Sequence, residues 1–171
     1  MKRVFVFEGP DGTGKTTLAM ALSRRIGATY IHHGSYPQAG DDLLAIYTVS
    51  MIPAVSMVVD VVMDRSWLSE KIYGHVYRNG ADRIGDARRH TFEVSLMAQV
   101  KILVIQCDAD FSSIEANWLK RRGVEYLDDV SQLRDVWSRY HNDFNTALPV
   151  MAAWPLIAKQ HDLIERILEW Q

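Results

Sequence analysis

Residues 4–17 read Val4-Phe5-Val6-Phe7-Glu8-Gly9-Pro10-Asp11-Gly12-Thr13-Gly14-Lys15-Thr16-Thr17. Val4 to Phe7 is an unbroken run of β-branched and aromatic residues. Such a run predicts a strand covered on both faces, as in a parallel sheet. Gly9 to Thr16 then satisfies G-x-x-x-x-G-K-[ST]. Glycines let the backbone turn so that successive N–H groups face phosphate oxygens, and the helix that follows adds its positive end. In this pattern Lys15 places an ammonium between the β- and γ-phosphates, and the Thr16 hydroxyl completes the coordination of Mg²⁺. Leu18, Leu22 and Ile26 recur at helical spacing and Gly27 ends the helix, so the loop has the strand before it and the helix after it that the pattern requires.

The rest of the chain repeats the alternation. Strands are predicted at 28–32, 61–63, 102–107 and 148–152. Helices are predicted from 42 to about 55 (capped by Asp41 or Asp42 and kinked or shortened by Pro53), over 66–78, from 86, over 112–122 and 131–145, and around 163–168. The fold class that follows is α/β, a three-layer sandwich with a five-stranded parallel sheet and helices on both faces. The 171 residues are 48% hydrophobic, and no linker, repeat or low-complexity stretch divides them, so 1–171 is expected to be one domain.

Charge and cysteine usage narrow the partners. A net charge of −2 supplies no basic field for a nucleic acid polymer. No apolar run is long enough to span a bilayer; Val55–Met63 is short and contains Asp60. The single Cys107 cannot form an internal disulfide and reads as a small buried hydrophobe, so a reducing, cytoplasmic location is expected.

The words around the loop carry a resemblance. Phe7 to Thr17 resembles the F-E-G-x-D-G-x-G-K-T-T signature of thymidylate kinases. Asp64-Arg65-Ser66-Trp67-Leu68-Ser69-Glu70-Lys71-Ile72-Tyr73 resembles that family's D-R-Y-x-x-S-x-x-A-Y stretch at the same spacing. Lys120-Arg121-Arg122-Gly123 with following acids is similar to the family's lid, here residues 112–130. The resemblance implies a P-loop kinase that moves the γ-phosphoryl of ATP, with Mg²⁺, to a deoxynucleoside monophosphate such as dTMP.

It also implies roles. Gly9, Asp11, Gly12, Thr13, Gly14, Lys15, Thr16 and Thr17 would hold ATP. Arg65 would hold the acceptor phosphate or bridge donor and acceptor. Asp64 would hold Mg²⁺ with Thr16, or orient Arg65. Asp11, Tyr36, Pro37, Ser69 and Tyr73 would line the acceptor site, Tyr73 against the sugar where its bulk disfavours a 2′-hydroxyl. Some relatives carry an arginine at the position of Gly12; this chain resembles those that draw cations from the lid, here Arg121 and Arg122. Members commonly dimerise through helices beside the sheet, and Met51–Met57 is either core or such a face, so a homodimer is expected.

Three departures bear on the acceptor. The segment between the second and third strands is short, Gln38-Ala39 stands where an arginine is usual, and Gly74 stands where glutamine is usual. A deoxynucleoside kinase is the nearest alternative, but it needs a carboxylate base after the second strand, where this chain has His32-His33-Gly34-Ser35. A hydrolytic nucleotide switch is the next, and no Asn-Lys-x-Asp motif supports it. Other singled-out residues read as structural: Arg83, Arg88 and Arg89 as a solvated helix start, His32 and His33 as non-ligands, and Trp118, Trp137, Trp154 and Trp170 as packing.

Overall fold

In the computed structural model, which describes residues 1–34, 42–120 and 129–170, five strands form one wholly parallel sheet. The strands are β1 (Arg3–Glu8), β2 (Thr29–His32), β3 (Val61–Asp64), β4 (Lys101–Cys107) and β5 (Val150–Ala153), in the order β2-β3-β1-β4-β5. The helices are α1 (Lys15–Ile26), α2 (Leu43–Val55), α3 (Ser69–Tyr77), α4 (Asp86–Met97), α5 (Phe111–Lys120), α6 (Val130–Asn142) and α7 (Gln160–Leu168).

β1 is central because both of its faces are apolar. Val4 and Val6 point into one core with Val61, Met63, Ile102 and Val104, covered by Leu44, Tyr47 and Met51 of α2 and Leu96 of α4. Phe5 and Phe7 point into the other with Val62, Leu103 and Ile105, covered by Leu18 and Leu22 of α1 and by Leu163 and Ile167 of α7. A third cluster joins α3, α5 and α6 through Ile72, Tyr73, Ile114, Trp118, Leu133 and Tyr140. The register pairs Phe7 with Asp64 and Glu8 with Gln106, so the ends of β1, β3 and β4 open together at the glycine-rich loop. This is where an open parallel sheet receives its ligand.

One predicted helix keeps its bounds and another starts later. Asp42 caps α2 by accepting from Ala45 N (3.4 Å), and Pro53 sits inside the helix near its end rather than cutting it early. The helix predicted from Ser66 starts at Ser69, because Arg65 has φ 74° and Ser66 turns its hydroxyl to Glu8 (2.7 Å).

Candidate active site

The loop turns its cations onto itself. Lys15, the first residue of α1, donates its Nζ to Pro10 O (3.1 Å) and Asp11 Oδ1 (3.4 Å). Thr13 also serves the loop, donating to Pro10 O at 3.0 Å. Arg65, at the end of β3, donates to Asp11 Oδ1 and to Tyr73 OH (2.8 Å), and its guanidinium lies 4.6 Å from the centre of the Tyr73 ring. Tyr73 OH in turn donates to Asp11 Oδ2 (2.9 Å). One loop carboxylate thus gathers the loop lysine, the arginine of the Asp-Arg motif and the motif tyrosine. Burial acts to raise the Asp11 pKa, but Arg65, Lys15 and the Tyr73 hydroxyl outweigh it and hold the carboxyl well below the usual range. Arg65 keeps φ 74°, a conformation a non-glycine residue retains only where its surroundings enforce it, at about 1–3 kcal/mol. Arg65 N donates to Phe7 O (3.0 Å), which supplies part of that enforcement.

Asp64 is fully buried beside this group. Its Oδ2 accepts from Tyr30 OH (3.0 Å) and pairs with His32 Nδ1 (3.1 Å). Burial would raise its pKa, but the His32 hydrogen bond, Lys15, Thr16 and Arg65 bring it down to about 2. Its Oδ1 is buried with no hydrogen-bond partner. An ionised carboxylate with one orphaned oxygen beside the Thr16 hydroxyl fits a hard cation that takes oxygen ligands. His32, read from sequence as unconnected to any acid, is therefore an Asp64 partner. The link was invisible because β2 and β3 pair His32 with Asp64 in register across 32 residues of chain.

Behind the loop, Glu8 is also fully buried. It accepts from Ser66 (2.7 Å), Ser69 (2.5 Å) and Tyr140 (2.9 Å). Ser69, expected at the acceptor, is thus committed to Glu8. Burial, partly offset by these hydroxyls and by Arg65, raises the Glu8 pKa above 4.5. The folded chain then binds this proton more tightly than the unfolded chain, so the Glu8 contribution to stability falls as pH rises from about 4.5 through the folded pKa. Glu8→Gln should remove that slope and leave the protein at least as stable at neutral pH. Urea unfolding of both proteins across pH 4–8 reads the difference, and a wild type that gains stability relative to the variant as pH rises would contradict it.

Gly74, where the resemblance has glutamine, has a packing reason, since a Cβ there would stand 2.4 Å from Ala81 O. Arg89 is not solvated as the sequence suggested: it is buried and bonds both oxygens of Asp82 (2.9 and 2.8 Å). Arg83 likewise engages both oxygens of the buried Glu70 (2.7 and 2.9 Å). Tyr36, Pro37, Arg121 and Arg122 lie outside the described residues.

Beside Gly14 and Thr17, a cavity of about 120 Å³ is lined by Leu18, Pro155, Leu156, Gln160 and Leu163. Gln160 Nε2 donates to Thr17 O (3.2 Å). Gly12 has no room for a side chain, because a Cβ there would meet Ile114 O at 2.8 Å.

Sheet order, loop and helix placement together define an α/β fold with a wholly parallel five-stranded sheet. No family model and no curated protein matches the sequence. Solved structures do match in fold. YorR of Bacillus subtilis, determined in complex with phosphorylated GDP, superposes with TM-score 0.72 at 19% identity over 96% of this chain and 93% of that one. Polyphosphate kinase 2 of Arthrobacter aurescens TC1 gives 0.71 at 16% identity over 99% of this chain and 69% of its own. Deoxyadenosine kinase of M. mycoides with bound dCTP gives 0.59 at 18% identity over 97% and 98%.

Proposed function

We propose that this protein is an ATP-dependent kinase of deoxynucleoside monophosphates, similar to thymidylate kinases, forming a deoxynucleoside diphosphate and ADP. The observation that carries the reading is the convergence of Lys15, Arg65 and Tyr73 on Asp11. Phosphoryl transfer between two anions needs positive charge on the donor, the acceptor and the group in flight. Lys15 and the loop N–H groups take the donor phosphates. Arg65 takes the acceptor phosphate, which a planar guanidinium can bind through paired hydrogen bonds. An acceptor phosphate oxygen attacks the γ-phosphorus as the bond to the β-phosphate oxygen breaks. That oxygen is already anionic, so no side chain need remove a proton.

Asp64 and Thr16 would hold Mg²⁺, which neutralises charge on the transferring phosphates when bound. By the family resemblance, Arg121 and Arg122 supply further charge from the lid, and Tyr73 and Asp11 meet the sugar. The altered acceptor region favours a broader range of bases than dTMP alone. Among the described residues no helix is long and apolar enough to cross a membrane, and with the single cysteine this supports a cytoplasmic enzyme.

One observation favours a second reading, a kinase of sugar hydroxyls. Such an acceptor needs a base, and His32, paired with the buried Asp64, is a candidate the sequence did not reveal. A panel of dTMP, dGMP, dAMP and dCMP against thymidine and deoxyadenosine, with ATP and Mg²⁺, separates the two. Turnover of the monophosphates that survives His32→Ala supports the first reading. Turnover of nucleosides alone, abolished by His32→Ala, would replace it, and acceptor-independent ATP hydrolysis would sink both.

A homodimer through α2 belongs to the same proposal. No charged side chain occurs between Asp42 and Asp60, yet Val49, Ile52, Met57 and Val58 are exposed. A face this apolar calls for a covering surface. Sedimentation velocity should show a dimer for wild type and a monomer for Ile52→Asp; a monomeric wild type would remove the expectation.

A further inference from the structure

We infer that Asn117 of α5 is a positioning residue for the donor triphosphate, acting by aiming one peptide group of the P-loop. Asn117 Nδ2 donates to Gly12 O at 3.1 Å. The carbonyl can only accept, so the amide's orientation is determined by its partner. In a planar trans peptide the C=O and the following N–H point in opposite directions. Holding Gly12 O toward α5 therefore turns Thr13 N–H away from α5, which would leave it available to a phosphate held by the loop. Gly12, at φ 86°, has little intrinsic preference that would hold this peptide plane, so an external anchor matters more here than at a residue with a side chain. Thr13 Oγ1 is occupied by Pro10 O, so the side chain of the same residue does not supply the anchor.

The helix that carries Asn117 is itself firmly seated. Ile114 and Trp118 are buried in the cluster that contains Tyr73 and Tyr140. Ile114 O lies so close to Gly12 that no Cβ would fit between them. One face of α5 thus packs against the acceptor-side helix, while Asn117 reaches the donor loop. The residue lies in the 112–130 stretch, outside both the glycine-rich loop and the Asp-Arg motif, and touches the loop from there.

This inference rests on the donor reading of the loop, and its test separates the two. MgATP and MgADP affinities are measured by calorimetry for wild type, Asn117→Ala and the isosteric Asn117→Asp, with no acceptor present. Asn117→Ala should weaken both nucleotides about tenfold. Asn117→Asp, which replaces a donor by an anion facing a carbonyl, should weaken them further. With a working acceptor, KM for ATP should rise in step while KM for the acceptor stays within about twofold. Thermal unfolding should shift little for either variant, which a purely structural role would not allow alongside lost affinity. Unchanged nucleotide affinity in both variants overturns the inference while leaving the kinase reading intact. A loss of affinity that merely follows a loss of folded protein also overturns it. A folded wild type that binds neither nucleotide overturns the donor reading and the inference together.

Discussion

Lys15→Ala should lose phosphoryl transfer by on the order of 10³-fold or more while the protein still folds. In the proposed reaction the ammonium would neutralise charge that grows between donor and acceptor during transfer. No other described side chain combines a mobile cation with a position on the loop itself. Its fold-stabilising contacts are modest by comparison: one loop carbonyl at 3.1 Å and one long contact to Asp11 at 3.4 Å. Asp11 keeps Arg65 and Tyr73 when Lys15 is removed, so its carboxylate stays partnered. The stability cost should therefore be near 1 kcal/mol. Initial rates with saturating acceptor, beside a urea unfolding curve, read both quantities. Full activity in a folded Lys15→Ala protein would refute the assignment of the loop to phosphate.

Gly9→Ala should be the most damaging glycine-to-alanine change among the described residues, costing more than about 4 kcal/mol and leaving little soluble folded protein. Gly9 has φ 140°, which an L side chain rarely adopts, and a Cβ there would lie 2.1 Å from Cys107 O. Neither party can move cheaply. Cys107 ends β4, whose backbone is paired with both β1 and β5, and Gly9 directly follows β1. The clash sets the new Cβ against a main-chain oxygen where β1 and β4 end side by side, and neither backbone has slack to yield. Soluble yield and thermal unfolding report the effect. A Gly9→Ala protein that melts within a few degrees of wild type would show that the β1–β4 junction is looser than described.

Both substitutions fall inside the same eight residues, and they differ in kind. Lys15 is a chemical group whose loss should spare the fold. Gly9 is an absence of a group, required by the approach of β4. The conservative change is the one predicted to unfold the protein. Gly12 shares that property, since the backbone of Ile114 fills the space an arginine at that position would need. That packing supports the expectation that this loop draws its additional cations from elsewhere.

Much of this architecture is local and so was legible in the residues. Val4 to Phe7 had to be an interior strand because nothing in it can face water, and Lys15 to Ile26 had to be a helix because Leu18, Leu22 and Ile26 share a face and Gly27 stops it. The phosphate cradle is equally local: backbone N–H groups, glycines and a lysine within eight consecutive residues. The pairing of the site was not legible. Arg65 reaches Asp11 across 54 residues, Tyr30 reaches Asp64 across 34, Asn117 reaches Gly12 across 105 and Tyr140 reaches Glu8 across 132. Periodicity says which face of an element is apolar, but not which element will stand opposite it. That is decided by the strand order β2-β3-β1-β4-β5, which sets β3 and β4 on either side of β1. The sequence by itself therefore determined where a glycine-rich loop of the G-x-x-x-x-G-K-[ST] pattern stands between its strand and its helix. Only the tertiary structure decided that Ser69 turns to Glu8, that His32 pairs with Asp64, and that Asn117 of α5 reaches Gly12 O.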